Sequence, residues 1–476
     1  MKLQRSSPEE QGVKSQAVFD FLDKIKQENH ELHSFMLLKN GKVISECWWE
    51  PYASRYKHQL FSLSKSFTST AIGMAVNEGL LTTDTLLTDI FKEETAKLGN
   101  HIDEKMKKMT VKNILTMGTG MDYENWGFWS TDTDNVVNFL SSHIKYEPGS
   151  VFFYHSHATY MQSAIITKLT GLKLVDYLKP RLFDPLDITD YLWEEDNNGI
   201  SFGGFGFNIK TEDIAKFGQL YLQKGNFDGK QLIPEKWVEE ATSKQIENAG
   251  NDLNPNGDWN QGYGYQFWIC QPDGVYRGDG AYGQFCVVMP NENAVIAITS
   301  NVDMQRIMDL IWEILLPALR ENNPPRENKS EHDKLLQAQK NLSHLKVKAD
   351  ALDFPEINSD FEGLDGRVYI DVNKNDGVIG IELDGQKYIY GFKKGEWSDN
   401  ASGQLWEPGY KYFRNKTYCE WLPDENMFDL TLWFYETPPK NNIKIKFNKD
   451  RTKLTLEVES FYIGARIFKI YEYVKI

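Results

Sequence analysis

Basic residues and long apolar runs are scarce in this 476-residue sequence, and each scarcity excludes a class of protein. Lys and Arg number 53 against 68 Asp and Glu, which gives a net charge of −15. This excess of negative charge repels phosphate backbones and anionic membranes, so no nucleic-acid partner is expected. The most apolar helical segment, residues 307–320, is interrupted by Asp309 and Glu313, so no membrane span is predicted.

Cysteine is also rare, and its spacing excludes a metal-binding motif. The four residues Cys47, Cys270, Cys286 and Cys419 lie far apart in apolar, strand-like surroundings. We expect reduced, buried thiols. The first residues lack the apolar stretch of a secretion signal, so the sequence predicts a cytoplasmic location. It predicts no cofactor.

The pattern of apolar residues divides the chain into two regions. Residues 1–320 have strands at both ends and helices between them, which predicts an α/β (α+β) domain with an antiparallel sheet, flanking helices and a helical subdomain. Residues 321–344 are charged and poor in apolar side chains, which indicates a linker. Residues 345–476 alternate apolar and polar side chains, which predicts an all-β barrel or sandwich domain of unknown role.

The pattern Ser-x-x-Lys occurs four times, starting at Ser54, Ser62, Ser142 and Ser343. Only Ser62 precedes a helix with an apolar face, and the three-residue spacing places Lys65 one turn away. A lysine can take the proton of a serine when burial and a helix start lower its pKa. The N–H group of Ser62 is a candidate donor to an oxyanion. The alternative is an ordinary serine-rich helix start.

Two further segments carry candidate catalytic groups. Tyr154 lies just before a predicted helix in "EPGSVFFYHSHATYM" and could transfer protons, although a lone tyrosine usually packs. In "YRGDGAYGQFCVVMP", glycines open a strand and the Ala281 N–H is a candidate second oxyanion donor. An ordinary bulge or turn is the alternative there.

The order of these segments resembles the serine β-lactamase and penicillin-binding-protein superfamily over residues 7–319. The likeness is closest to class C β-lactamases and to the related carboxylesterases, D-aminopeptidases and 6-aminohexanoate-dimer hydrolases. It is carried by "SPEEQGVKSQAVFDFLD", "FSLSKSFTSTAIG", "VKNILTMGTGMD", "EPGSVFFYHSHATYM", "GGFGFNIKTEDIAKFGQLYL" and "GDGAYGQFCVVMPNENAVIAITSN". The resemblance implies that Ser62 is the acylated nucleophile, Lys65 its proton partner and Tyr154 the general acid and base. It places the oxyanion hole at the N–H groups of Ser62 and Ala281.

The sequence departs from the family at two positions. The family's Tyr-x-Asn is here Tyr154-His155-Ser156, so the side-chain amide that often contacts substrate is missing. The lysine of the family's Lys-Thr-Gly strand is here Gly278, which puts β-lactam recognition in question. Arg277 is a candidate replacement, although Asp279 beside it opposes an anionic ligand.

The expected substrate is a small ester or amide with an apolar acyl part. Aromatic residues of the loop after Gly120 are candidates for the cleft wall. The predicted substrate-binding residues are Ser156, Gly280, Tyr282, Tyr123, Trp126 and Arg277, with Trp129 nearby. The aromatic residues could equally be packed under the loop. The alternative activities are those of a D-aminopeptidase or a β-lactamase.

Three other classes of protein are alternatives to this hypothesis. "GISFG" around Ser201 matches the Gly-x-Ser-x-Gly elbow of α/β-hydrolases, but it lacks the preceding buried strand and following helix. A non-catalytic acyl-trapping sensor or scaffold would keep the domain and lose turnover. His155 and His157 lie two residues apart, but no further ligand at helix spacing completes a metal site.

Overall fold

The computed structural model describes residues 3–124, 134–250, 257–321, 328–348, 350–403, 405, 414–462 and 465–476. The chain divides into two compact units. The first consists of Met1–Cys47 and Gln59–Lys340, and the second of Trp48–His58 and Asn341–Ile476.

Helices occur mainly in the first unit. They are α1 (Ser15–Gln27), α2 (Ser64–Asn77), α3 (Leu87–Ile90), α4 (Lys92–Leu98), α5 (Val111–Leu115), α6 (Asn135–Leu140), α7 (Ser156–Thr170), α8 (Leu174–Leu178), α9 (Thr211–Leu222), α10 (Glu235–Ala241), α11 (Met304–Leu310), α12 (Leu316–Arg320) and α13 (Lys329–Lys340).

Short strands are spread along the first two-thirds of the chain. They are β1 (Gln4–Arg5), β2 (Glu31–Lys39), β3 (Lys42–Trp48), β4 (His58–Gln59), β5 (Leu192–Trp193), β6 (Phe207–Ile209), β7 (Asn226–Phe227), β8 (Lys230–Gln231), β9 (Trp268–Ile269), β10 (Tyr276–Gly280), β11 (Gln284–Met289) and β12 (Ala294–Asn301).

The main sheet of the first unit has the strand order β1-β3-β2-β12-β11-β10-β9. The pairs β12–β2, β11–β12, β10–β11 and β10–β9 are antiparallel, while the two-residue strand β1 pairs with β3 in parallel. All eight residues of β12 are buried, because helices cover both faces of the sheet centre. The predicted α+β fold with an antiparallel sheet is confirmed, with β1 as a short parallel addition.

Local sequence signals position several of these elements. The helix predicted at Ser15 is α1, and both residues of the Asn40-Gly41 turn between β2 and β3 have positive φ, 53° and 74°. Helix α9 approaches the sheet closely at Gly218, where a Cβ would lie 2.5 Å from Val295. Glycine is therefore required for this packing distance.

The segment predicted as a linker, residues 321–344, contains helix α13. This helix packs within the first unit: Gln339 donates a hydrogen bond to Ser45 at 2.7 Å, and Leu335 is buried. Lys334 lies 3.8 Å from the ring centroid of Phe19 in α1. The polar composition of α13 is typical of a solvent-exposed linker. The segment is helical because its packing on α1 stabilises it.

The second unit is a single ten-stranded antiparallel sheet. Its strands are β13 (Ile357–Gly363), β14 (Gly366–Val372), β15 (Asp376–Leu383), β16 (Gln386–Lys393), β17 (Ser398–Ala401), β18 (Arg414–Leu422), β19 (Met427–Phe434), β20 (Lys440–Phe447), β21 (Lys453–Tyr462) and β22 (Ala465–Lys475), in the order β16-β15-β14-β13-β22-β21-β20-β19-β18-β17.

The side chain of Asn400 joins the two end strands, β16 and β17. The N–H of Gly391 donates to Oδ1 of Asn400, and Nδ2 of Asn400 donates to the Gly391 carbonyl, both at 2.8 Å. Because the amide replaces a missing ladder bond, the sheet closes towards a barrel around an apolar core. The predicted all-β domain is confirmed, and it has the barrel form rather than the sandwich.

An N-terminal segment that the sequence analysis did not assign to the β domain belongs to this second unit. In Trp48–His58, the ring of Tyr56 lies 4.4 Å from that of Tyr435, and the Tyr52 hydroxyl donates to the Thr437 carbonyl at 3.2 Å. These partners are almost 400 residues away along the chain, so local sequence could not predict the contacts.

Candidate active site

Ser62 lies in a tight 3-10 turn, Phe61–Leu63, that leads directly into α2. The sequence predicts a helix that opens at Ser62, whereas the α-helix itself begins at Ser64. Phe61, the residue before Ser62, has φ of +48°. A non-glycine residue is strained in this region, and such strain is concentrated at functional sites.

Lys65 is buried at the start of α2 and donates three hydrogen bonds. Its Nζ lies 2.9 Å from Oγ of Ser62, 3.2 Å from Oγ of Ser156 and 2.8 Å from the carbonyl oxygen of Gly204. Burial lowers the pKa of Lys65 to about 7, although two nearby carboxylates oppose this shift. A substantial fraction of neutral amine is therefore present at neutral pH.

Tyr154 is half-buried beside the same amine. Lys65 Nζ lies 4.8 Å from its ring centroid, and the ring is stacked on Trp268 at 5.4 Å with planes 19° apart. Desolvation raises the pKa of the phenol above its ordinary value, and a hydrogen bond with Ser62 only partly offsets this. The phenol is therefore neutral and able to donate a proton.

Helix α7 starts at Ser156, two residues after Tyr154, and side chains satisfy its first N–H groups. The carboxylate of Glu124 accepts from the N–H of Ser156 at 2.6 Å and from the N–H of His157 at 3.2 Å. Nδ1 of His155 accepts from the N–H of Ala158 at 3.2 Å. Glu124 was not predicted as a site residue, because an acid 32 residues before a helix start carries no local signal.

The last residues of β10 lie against the Ser62 turn. A Cβ at Gly280 would lie 2.0 Å from the carbonyl oxygen of Leu60, so only glycine permits this approach. The N–H of Gly283 donates to the Gly280 carbonyl at 3.1 Å and closes a turn with Ala281 in its second position. Ala281 is exposed and lies beyond the β10–β11 ladder, which ends at Gly280.

The position of the family's lysine is closely packed. A Cβ at Gly278 would lie 2.5 Å from Oγ of Ser66, and that hydroxyl is held by a 2.8 Å hydrogen bond to the Gln266 carbonyl. A longer side chain therefore requires the helix or the strand to move.

Arg277 is fully buried, contrary to its predicted role as a substrate contact. Its Nε lies 2.9 Å from Oδ2 of Asp279, and its Nη1 donates to the Asp258 carbonyl at 3.0 Å. The guanidinium also lies 4.4 Å from the ring centroid of Trp259. A guanidinium without solvent exposure offers no surface to a ligand, so Arg277 does not replace the missing lysine.

The predicted cleft wall is only partly within the described residues. Tyr123 is 39% exposed, and Trp126 and Trp129 lie outside the described ranges. The ring of Tyr282 packs against that of Phe61 with centroids 5.1 Å apart. Tyr282 thus has a packing partner next to the Ser62 turn.

The alternative nucleophile Ser201 is fully buried, and its surroundings differ from a nucleophile elbow. It forms an isolated bridge with Glu195 rather than following a strand of the main sheet. That sheet is not a parallel doubly wound one, so the α/β-hydrolase hypothesis is wrong. Of the other Ser-x-x-Lys matches, Lys57 lies 3.8 Å from Glu436, and Lys145 lies 2.5 Å from Asp122.

The histidines near Tyr154 have structural surroundings. Burial lowers the pKa of His155 to about 3 and that of His157 to about 4. Nε2 of His157 lies 2.8 Å from the Asn135 carbonyl oxygen. Across the ranges that the structure describes, no three His, Cys, Asp or Glu side chains come together in a way that could hold a metal ion. In the same ranges, no helix has the length and apolar content needed to cross a membrane.

The fold and this cluster of serine, lysine and tyrosine define a protein of the serine β-lactamase and penicillin-binding-protein type. The family model described as Beta-lactamase matches residues 27–310, which is more than half of the chain. The chain therefore belongs to the beta-lactamase family.

Known relatives include enzymes that are named as hydrolases. A 6-aminohexanoate-dimer hydrolase of Paenarthrobacter ureafaciens is 24% identical over 320 residues, which cover 62% of this chain and 80% of the relative. Among solved structures, EstCE1, described as a hydrolase with promiscuous acyltransferase activity, has a TM-score of 0.52 at 13% identity and covers 63% of this chain and 99% of its own. The octameric penicillin-binding-protein homologue from Pyrococcus abyssi has a TM-score of 0.50 at 15% identity and covers 97% of this chain and 99% of its own.

Proposed function

We propose that this protein is a serine hydrolase that cleaves a small ester or amide through an acyl-enzyme on Ser62. The observation that carries the proposal is the buried amine of Lys65, 2.9 Å from the Ser62 hydroxyl, with its pKa lowered to about 7. A serine hydroxyl reacts only when a base takes its proton, and a lysine is such a base only when it is neutral. Family membership supports the same reaction class.

In the acylation step, Oγ of Ser62 attacks the substrate carbonyl carbon while Lys65 accepts the hydroxyl proton. The N–H groups of Ser62 and Ala281 stabilise the negative charge that develops on the carbonyl oxygen. The bond to the leaving alcohol or amine then breaks. The leaving group takes a proton from the Tyr154 phenol, and Lys65 returns a proton to Tyr154, so the acyl-enzyme forms without net proton release.

In the deacylation step, a water molecule attacks the Ser62 ester. Its proton passes to the Lys65 and Tyr154 pair, and the same pair reprotonates Oγ of Ser62 as the acid product leaves. The Tyr154 phenol is neutral and can donate a proton. The Lys65 amine, with a pKa of about 7, can accept one. These acylation and deacylation steps need no cofactor.

The expected substrate lacks a carboxylate next to the scissile bond. Gly278 takes the place of the lysine that commonly meets such a carboxylate, and the buried Arg277 is bound to Asp279. An anionic substrate therefore meets no free cation on β10. A neutral acyl group fits better, which favours esterase or amidase activity over β-lactamase activity.

D-aminopeptidase activity remains the alternative within the same mechanism, since an amide bond is cleaved by the same steps. The relative named as a hydrolase of the 6-aminohexanoate dimer makes that compound a further amide to test. A purified-protein comparison should include p-nitrophenyl acetate and butyrate, D-alanine p-nitroanilide, the 6-aminohexanoate dimer and nitrocefin. Efficient nitrocefin hydrolysis with slow ester turnover would contradict the substrate proposal.

The nucleophile is tested by Ser62→Ala, with Ser201→Ala as a matched control. Loss of a nucleophile that acts as a unit with its base should lower kcat for p-nitrophenyl butyrate by about 10⁴-fold or more. Ser201 is buried, and its Oγ has no hydrogen-bond partner among the described residues, so its removal should leave activity near wild type. The opposite pattern would overturn the assignment of Ser62.

A non-catalytic acyl-trapping sensor is the alternative of another class. Mass spectrometry of the protein after mixing with an activated ester separates the two. An enzyme shows a transient mass increase on the peptide that contains Ser62, followed by recovery of the free serine. A sensor keeps the acyl group after the ester is consumed.

A further inference from the structure

The carboxylate of Glu124 holds the start of helix α7 at the site of the proposed chemistry. Its two oxygens accept from the first two N–H groups of the helix, those of Ser156 and His157, at 2.6 and 3.2 Å. These groups have no partner inside the helix, so an external acceptor is needed to satisfy them. The ring of His155 accepts from the third N–H group, that of Ala158. Side chains therefore fix the backbone at the helix start, just after Tyr154.

The segment held in this way carries two groups that face Lys65. Oγ of Ser156 accepts a hydrogen bond from Lys65 Nζ at 3.2 Å, and the ring of Tyr154 lies 4.8 Å from the same nitrogen. A shift of the helix start would therefore move the phenol and one acceptor of the lysine together. Proton transfer is sensitive to such small displacements.

Glu124 also acts on Lys65 through charge. The Glu124 side chain is only 7% exposed, and its electrostatic interaction with Lys65 is the largest one opposing desolvation of the amine. Charges interact more strongly where solvent is excluded. Among the described residues, four titratable groups face Lys65 from the surrounding elements: the carboxylates of Glu124 and Asp279, the phenol of Tyr154, and the ring of His155.

Two of these four groups are neutral at neutral pH. His155 is neutral because burial lowers its pKa to about 3, and the Tyr154 phenol is neutral because its pKa is raised. Burial raises the pKa of both carboxyls, and at Glu124 the N–H groups of Ser156 and His157 and the charge of Lys65 oppose that shift. The Asp279 charge is already paired with Arg277 at 2.9 Å. Glu124 is therefore the carboxylate whose removal changes the field at Lys65 most directly.

We propose that Glu124 is a positioning residue that orients the Tyr154–Ser156 segment and whose negative charge acts on the amine of Lys65. This inference rests on the proposed acyl-enzyme mechanism. Glu124 itself contacts the helix N–H groups rather than the reacting atoms. Its role differs from a simple helix cap because its charge acts on the proposed general base.

The test compares Glu124→Gln with Glu124→Asp. The glutamine keeps one carbonyl oxygen for an N–H group but removes the charge and turns an NH₂ towards the second donor. The aspartate keeps the charge and shortens the reach. Glu93→Gln is the control, because Glu93 is 80% exposed and pairs with Lys168 on the surface.

Glu124→Gln is expected to move the acid limb of the pH profile of kcat/KM to lower pH. The sign follows because a nearby negative charge stabilises the ammonium, so its loss lowers the pKa of Lys65 further. At the pH plateau, kcat should fall about 10- to 100-fold with KM changed less than about threefold, since proton transfer rather than ground-state binding is affected. Glu124→Asp should keep the acid limb at its wild-type position while lowering kcat, and Glu93→Gln should change neither.

A cap with a purely structural role would lower the melting temperature without moving the acid limb, and that result would overturn the inference. If Glu124→Gln does not fold, Glu124→Asp decides: an acid limb displaced by the shorter charged residue, or an unchanged kcat, contradicts the proposal. Labelling of wild-type Ser62 by a fluorophosphonate keeps the two proposals apart. Absence of labelling rejects the acyl-enzyme mechanism, whereas labelling with a fixed pH limb in Glu124→Gln rejects only the role of Glu124.

Discussion

The ring of Phe61 packs edge-on against the ring of Tyr282, with centroids 5.1 Å apart and planes at 72°. Both residues have positive φ, +48° and +67°. Phe61 immediately precedes Ser62 and Tyr282 immediately follows Ala281, so the contact joins the two backbone turns that carry the proposed oxyanion donors. Strained residues persist where the surrounding packing holds them, and here each strained residue provides packing for the other.

Replacing Tyr282 with glycine should lower activity while changing stability little. Glycine relieves the strain of positive φ, which offsets part of the lost ring contact, so the free energy of unfolding should change by less than about 1 kcal/mol. The turn that holds the Ala281 N–H loses its contact with Phe61, and kcat/KM should fall about 10-fold or more. Urea denaturation and ester kinetics measure the two quantities.

The matched control is Asp228→Gly, because Asp228 also has positive φ, +52°, but lies in the exposed turn between β7 and β8. Its activity should equal that of the wild type. A Tyr282→Gly protein with full activity would show that the ring contact has no part in positioning the donor.

The pH dependence of activity should report Lys65. The amine must be neutral to accept the Ser62 proton, so kcat/KM should rise with pH through a pKa of about 7. Lys65→Arg should abolish this activity across the whole range, because a guanidinium stays protonated. A stopped assay of p-nitrophenyl butyrate hydrolysis between pH 5 and 9 provides the profile.

The same group should affect stability with a defined sign. The pKa of Lys65 falls from its ordinary value of 10.5 in the unfolded chain to about 7 in the fold, so above pH 7 the unfolded chain binds one more proton. Its contribution to the free energy of unfolding therefore rises with pH between those values. Lys65→Met should be more stable than wild type at pH 6, and this difference should shrink by pH 9; a constant difference would contradict the shifted pKa.

Gly280→Ala should damage both the fold and the site. The added Cβ would overlap the carbonyl oxygen of Leu60 at 2.0 Å, and backbone atoms yield only by moving the strand or the Ser62 turn. We expect a loss of about 1–3 kcal/mol in the free energy of unfolding, together with loss of activity. Gly380→Ala is the control, because its Cβ would meet only ordinary contacts at 3.6 Å or more; equal effects of the two would refute the close approach of β10.

Replacing only one partner of the buried ion pair between Arg277 and Asp279 should strongly lower the stability of the protein. Asp279→Asn leaves the guanidinium without its counter-charge in a site with no solvent exposure, and about 3–5 kcal/mol of stability should be lost. Combining it with Arg277→Met should recover part of that loss, because no uncompensated charge remains. Additive losses in a double-mutant cycle would show that the two side chains do not depend on each other.

In the second unit, Asn400→Ala should destabilise the β domain selectively. It removes the two 2.8 Å hydrogen bonds to Gly391 that join β16 and β17, and leaves those backbone groups unsatisfied at a cost of about 1–3 kcal/mol. Asn358→Ala is the control, because the exposed Asn358 makes a long 3.4 Å bond to Asp371. Hydrogen exchange should rise in β16 and β17 of the Asn400 variant alone.

Local patterns in the sequence determined a large part of this protein. The pair Ser62 and Lys65 was found because both lie at a helix start, where a three-residue spacing sets their proximity. The hairpin at Asn40-Gly41, helix α1 and the alternating strands after residue 345 follow from periodicity and turn chemistry, which are also local. The order of six motifs along the chain was sufficient to indicate the family.

Only the tertiary structure decided the surroundings of that pair. The sequence made Arg277 a candidate ligand for an anion. In the fold, its guanidinium is buried against Asp279 and Trp259. Glu124, helix α13 and the segment Trp48–His58 depend on partners far away in sequence, so no spacing rule reveals them. Burial and long-range contacts set the pKa of Lys65 and the space available to a side chain at position 278. Both depend on segments that are distant in sequence and come together only in the fold.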